Sequence, residues 1–166
     1  MTATIKILTE EDWQDWKTIR LEAVRLHPEA FGGAYEDESK NPDDSFKQGL
    51  TKNTIFGAYS DGVLVGVAGF FTFSMRKMQH RGNLFSMYLK KEYRGQHIAG
   101  ELVAAVINYA QSRVQQLHCT VVTTNQAATA LYKKYGFEIY GTEPRSLKIG
   151  DHYYDEHLMV RFFDKK

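Results

Sequence analysis

The stretch from Thr54 to Leu89 constrains the fold more than any other part of the chain. Thr54–Ser60 is rich in apolar and aromatic residues and reads as a strand. Asp61-Gly62 is a tight-turn pair, and Val63–Phe73 returns along it. After a break at Arg76–His80, Gly82–Leu89 forms a third strand. Strands joined by such short connections lie antiparallel, which predicts a meander. The pattern then changes. Ile98–Ser112 gathers Leu102, Val103, Val106, Ile107 and Ala110 on one side, which is helical spacing, and Leu117–Val122 is a buried strand. A strand, helix and strand in this order close as a parallel crossover. The fold class that results is α/β (α+β): a mixed sheet, antiparallel in its first half.

The flanks fit this frame. Thr4–Leu8 is a short strand. Thr9 and Asp12 match the [ST]-x-x-[DE] capping box, so a helix begins there, carries Trp13, Trp16, Ile19, Ala23 and Val24, and ends before Pro28. Phe31–Asn41 looks irregular and acidic. Asn41-Pro42 offers a cap and a first-turn proline for a helix to about Leu50. Ala127–Tyr135 is a helix stopped by Gly136, and Phe137–Gly141 and Tyr153–Phe162 are strands. With 166 residues and no repeat or linker, a single domain over residues 1–166 is expected.

Charge and cysteine usage narrow the function. The formal net charge is +1, too small for a nucleic-acid groove. The basic pairs Arg76–Lys77, Lys90–Lys91 and Lys165–Lys166 read as solvated surface. The lone cysteine, Cys119, forms no internal disulfide and reads as a small core residue. The N-terminal residues read as strand and helix, so no secretory leader is expected, and no apolar run is long enough to span a bilayer. A cytoplasmic protein with no membrane or nucleic-acid partner and no metal is expected.

Two segments carry chemistry. Arg94–Gly100 reads RGQHIAG and opens a helix. Amides at a helix start lack partners within the helix and sit at the positive end of its dipole, so small residues there let a phosphate approach. A simple turn is the other reading. A Rossmann site lacks its full G-x-G-x-x-G and its acidic partner. Asn125–Phe137 reads NQAATALYKKYGF. Ala128, Leu131, Tyr132 and Tyr135 share a helix face. Tyr132 is either a core aromatic or a phenol placed to protonate a departing thiolate.

Together the two segments resemble the GNAT superfamily of N-acetyltransferases. Arg94, His97 and Ala99 stand at the fixed positions of its [QR]-x-x-G-x-[GA] motif. Asn125, Ala128, Leu131, Tyr132, Gly136 and Phe137 match N-x-x-A-x-x-L-Y-x-x-x-G-F. The resemblance covers nearly the whole chain. It implies a sheet of six to seven strands with helices on both faces, and a parallel strand pair that splays. It implies acetyl-CoA as cosubstrate: pyrophosphate on Arg94, Gly95, Gln96, His97, Ile98, Ala99 and Gly100; pantetheine along Met87, Tyr88 and Leu89; Asn125 and Ala128 beside it. A primary amine would attack the thioester directly, and Tyr132 would be the acid.

The sequence departs from the family twice. His97 stands where glycine is usual, which is costly if that residue has a positive φ. Thr120 stands where many relatives carry an acid. A water chain, Glu36, Glu38 or His118 is left as base, with His118 also readable as a solvent-facing strand residue. The acidic run Glu36-Asp37-Glu38 suggests a small cationic amine as acceptor. Tyr153 or Tyr154, in a hairpin around Gly150-Asp151, would wall its pocket. A protein N-terminus or lysine is the alternative acceptor, and a non-catalytic CoA-binding domain is the alternative class. Exposed C-terminal strands would allow a homodimer.

Overall fold

The computed structural model describes residues 3–164; the basic pair Lys165–Lys166 lies outside them. Seven strands form one sheet in the order β1-β2-β3-β4-β5-β7-β6. They are β1 (Thr4–Ile7), β2 (Thr54–Ser60), β3 (Val63–Thr72), β4 (Arg81–Leu89), β5 (Gln116–Val122), β6 (Glu138–Ile149) and β7 (His152–Phe162). All neighbours are antiparallel except β4 and β5. The meander and the parallel crossover are therefore as expected.

Helices cover both faces. On one, α1 (Trp13–Leu26) and α3 (Asp43–Lys52) bury Trp16, Ile19, Ala23, Phe46 and Leu50 against Ile55, Leu64 and Val67. On the other, α4 (Ile98–Ala110) drives Leu102, Val103 and Val106 into Val65, Ala68 and Leu117. The apolar stripe of α4 follows helical spacing, so burial against the sheet holds it. Next to it, α5 (Gln126–Lys134) closes over Cys119 with Tyr132. Cys119 is core, and burial pushes its thiol up to about 12, which keeps it unreactive. The N-terminal capping box is present: the Thr9 amide donates to the Asp12 carboxylate at 2.8 Å, and a single 3-10 turn precedes α1.

Three expectations need correction. The acidic segment is not wholly irregular, because Tyr35–Glu38 forms one helical turn, α2. Pro42, not Asn41, is the cap residue of α3. The strand after Gly136 does not stop at Gly141. It continues to Ile149 because Leu147, Lys148 and Ile149 pair with Tyr154, Tyr153 and His152. Pro144 hid this continuity, yet β6 is an edge strand, where a missing amide donor is tolerated.

Candidate active site

The parallel seam is short. Only Arg81, Gly82 and Asn83 of β4 pair with Gln116, Leu117 and His118 of β5. Beyond Asn83 the strands diverge, and a V opens from one face of the sheet to the other. A bulge sharpens it. The β3–β4 register slips between Val67 and Gly69, and Ser86 takes a left-handed φ of 53°. Bulges re-aim strand residues in this way beside functional sites. The bulge is tied from outside the sheet: Arg20 Nη1 donates to Ser86 Oγ at 2.7 Å, while Arg20 Nε and Nη2 grip Glu38 at 2.8 and 3.0 Å.

On the α4 side the V widens into a cleft of about 640 Å³. Met87, Tyr88 and Leu89 form one wall, and Asn125, Ala127, Ala128 and Leu131 the other. Arg94, Gly95, His97, Ile98 and Ala99 close one end. Gly95 and His97 have φ of 80° and 67°, and the first amide of α4 to find a backbone partner is that of Glu101, which donates to His97 O. The amides before it face the cleft end without helical partners, a concavity suited to an anion. Asn125 Oδ1 accepts from the Ala128 amide at 3.1 Å and so caps α5, which leaves its side-chain amide for other partners. Tyr88 donates to Glu22 at 2.7 Å; burial and this carboxylate raise its phenol. Arg94 folds back, with Nε donating to Leu89 O at 3.0 Å.

Two residues named with this cradle do something else. Gly100 faces Tyr135: a Cβ there would stand 2.4 Å from the phenol oxygen, so its smallness serves helix packing. Gln96 does not line the cleft, and its Oε1 is buried without a partner among the described residues.

Adjoining the cleft, and sharing Met87, Val122, Asn125 and Ala128 with it, lies a smaller cavity of about 220 Å³. Tyr132 reaches it from α5, Arg20 from α1, Phe31 from the loop before α2, Ser86 and Met87 from β4, Thr120 from β5 and Glu156 from β7. Tyr132 is 5% exposed, and its ring meets Phe137 edge-on at 5.7 Å. Its hydroxyl makes no hydrogen bond with another described residue. Burial above all, then the nearby Cys119, drives its phenol well above the ordinary value, so it stays protonated at neutral pH.

The residues suggested for the acceptor are not gathered here. Glu38 is spent on Arg20. Glu36 lines a separate hollow with Leu147, Lys148 and Ile149. Tyr153 is exposed, with the guanidinium of Arg145 4.3 Å from its ring centre, and neither it nor Tyr154 lines the cavity. His118 is not solvent-facing. It is 7% exposed under Tyr140, and burial, with Arg81 and His80 adding, lowers its imidazole to about 4. Sequence reasoning missed Arg20 and Glu156; their role is visible only once α1 and β7 are folded against β4 and β5.

A parallel strand pair that splays within a mixed sheet, with a helix start at one end of the cleft and a buried phenol beside it, is the arrangement of the acetyltransferase class. The chain belongs to the acetyltransferase (GNAT) family, whose model matches residues 10–137. It is 28% identical over 99 residues to L-amino acid N-acetyltransferase AaaT of Escherichia coli, a match covering 57% of this chain and 61% of that protein. The fold is shared with a GNAT acetyltransferase from Streptococcus pneumoniae, at TM-score 0.86 and 23% identity, covering 96% of this chain and 98% of that one. It is also shared with yncA of Salmonella typhimurium, solved with acetyl-CoA, at TM-score 0.86 and 18% identity over 100% and 96% of the two chains. Among the described residues no His, Cys, Asp and Glu group could hold a metal, and no helix is long and apolar enough to cross a membrane.

Proposed function

We propose that the chain moves acetyl from acetyl-CoA to a small primary amine by direct attack. The observation that carries this is the V itself, where a cleft of about 640 Å³ meets a cavity of about 220 Å³ along Met87, Val122, Asn125 and Ala128. Bound acetyl-CoA supplies the activated acetyl thioester. The chain's own residues do the rest. Amides at the start of α4 hold the pyrophosphate end. A backbone amide beside the Ser86 bulge, that of Met87 or Tyr88, polarises the thioester carbonyl. Asn125 bonds the pantetheine arm. Tyr132 holds a proton for the thiolate.

The acceptor cavity is smaller than typical drug-sized sites, which supports a small amine over a folded protein. An L-amino acid, the acceptor class in the name of the Escherichia coli relative, is one candidate of that size. A buried free thiol at Cys119 supports a reducing, cytoplasmic setting, and Ile139 and Tyr140 exposed on the edge strand β6 support a homodimer. The test is release of free thiol from acetyl-CoA against ethanolamine, putrescine and the twenty L-amino acids. Saturable release with at least one is expected. Failure to bind acetyl-CoA by calorimetry would overturn the proposal.

A further inference from the structure

The acceptor cavity holds two charged side chains, and they are in different states. Arg20 is committed: its guanidinium is gripped by Glu38 and tied to Ser86. Glu156 is not. It stands on β7, opposite Val122 of β5 and Glu143 of β6, and lines the cavity with Tyr132 and Thr120. No Lys or Arg among the described residues pairs with it, and its one hydrogen bond is from Ser146 Oγ to Oε1. Oε2 is left for a ligand.

The backbone around Glu156 is built to aim it. The β6–β7 register breaks between Glu143 and Leu147, and inside the break Arg145 takes a left-handed φ of 52°. A non-glycine residue there is strained and persists only where neighbours hold it. Here Asp155, beside Glu156, accepts the Arg145 amide at 2.8 Å, and its own carbonyl accepts the Thr123 amide of the β5 end at 2.9 Å. The bulge presents Ser146 to Glu156. Thr120, diagonal to Glu156 across β5 and β7, brings only a hydroxyl. Among the described residues, Glu156 is thus the carboxylate that the cavity offers without a charged partner.

We infer that Glu156 is a catalytic residue that receives the acceptor's ammonium group and takes the proton its nitrogen sheds, with Ser146 as its positioning residue. This rests on the small-amine reading above. Oε2 accepts a hydrogen bond from the entering ammonium, which loses one proton to solvent and becomes the free amine. The amine nitrogen bonds the acetyl carbonyl carbon, and Glu156 accepts the proton that nitrogen then carries in excess. The carbon–sulfur bond breaks, and the thiolate takes the proton of Tyr132. Glu156 returns its proton to solvent, and the Tyr132 phenolate regains one. For an acceptor entering as ammonium, one proton is released per turnover.

The same amine panel tests this with Glu156→Gln, Glu156→Ala, Ser146→Ala and Ser146→Thr. Glu156→Gln should lower kcat on the best panel amine about 100-fold or more and leave acetyl-CoA affinity by calorimetry within about twofold. Binding of that amine to CoA-loaded protein, read by calorimetry without turnover, should weaken about tenfold for loss of one charged contact. Sodium formate should restore part of the Glu156→Ala rate, and Ser146→Thr should recover what Ser146→Ala loses. An active wild type with an unchanged Glu156→Gln enzyme would overturn the assignment and leave the small-amine reading standing. Loss of rate with equal loss of acetyl-CoA affinity and no formate rescue would overturn it as well. A wild type that acetylates no amine of the panel would sink the small-amine reading, and Glu156 with it.

Discussion

Replacing Tyr132 with Phe separates two roles for the same ring. The hydroxyl bonds no described residue, and the ring contact with Phe137 at 5.7 Å survives the change. The substitution therefore loses no protein hydrogen bond and opens no cavity, so stability should change by no more than about 0.5 kcal/mol. For a chain of this length that is a shift of about 2 °C or less in Tm. The rate is another matter. A positioned general acid contributes roughly 10²–10⁴-fold. Burial raises the Tyr132 phenol, which keeps it protonated but makes it a reluctant donor, so the low end applies. A loss of about 100-fold in kcat is expected, which is about 2.7 kcal/mol of barrier. The measurements are thiol release at saturating acetyl-CoA, acetyl-CoA affinity by calorimetry, and a thermal melt. A Tyr132→Phe enzyme with kcat within twofold of wild type would refute the acid role. A fall in Tm of several degrees would refute the view that the hydroxyl has no structural partner.

Three further outcomes follow from single residues. His97→Gly relieves a left-handed φ of 67°, worth about 1 kcal/mol, but adds similar chain entropy to the unfolded state; Tm should move by less than about 2 °C, with acetyl-CoA affinity unchanged at both pH 6 and pH 8. A loss confined to pH 6 would instead make the imidazolium a partner of the pyrophosphate. Gly100→Ala puts a methyl 2.4 Å from the Tyr135 oxygen and should cost about 1–3 kcal/mol, read as a lower urea midpoint; an unchanged midpoint would show that Tyr135 swings away freely. His118 is held near 4 when folded and titrates near 6.5 when unfolded, so its contribution is intact above about 6.5 and is lost as pH falls toward 4. His118→Gln should flatten that part of the stability curve, measured by urea unfolding from pH 7 to pH 4, by an amount on the order of 3 kcal/mol; an equal slope in both proteins would place the acid sensitivity elsewhere.

What was legible in the sequence was what is local. Arg94–Gly100 and Asn125–Phe137 each act as a contiguous piece: one opens α4, the other contains all of α5. Their patterns survive translation into structure because a helix start and a helix face depend on neighbours within one or two turns. Even there Gly100 misled, since its partner Tyr135 lies 35 positions away, and a glycine needed for close packing looks the same as one needed by a phosphate. The acidic run before α3 misled more. Glu38 carries charge, but Arg20 cancels it, and that pairing forms only when α1 and α2 meet.

The acceptor side was illegible for a related reason. Arg20 and Ser86 are 66 positions apart, and Tyr132 and Glu156 come from different elements on either side of the β5 end. No spacing rule links them. The positive-φ residues Ser86 and Arg145, neither a glycine, gave no turn signal in the sequence. Yet both sit in bulges beside the cavity. This division has a consequence for how the site works. In the proposed function the cofactor half is held by amides at the start of α4, by β4 and by Asn125, and its cleft draws on no side chain of α1 or β7. The acceptor half is a convergence of single side chains from α1, β4, β5 and β7. Changing one of them alters the fit of the amine while the thioester stays placed. On the proposed function, acceptor choice in this chain rests on Arg20, Thr120 and Glu156, which line the smaller cavity, rather than on the two segments that reveal its family.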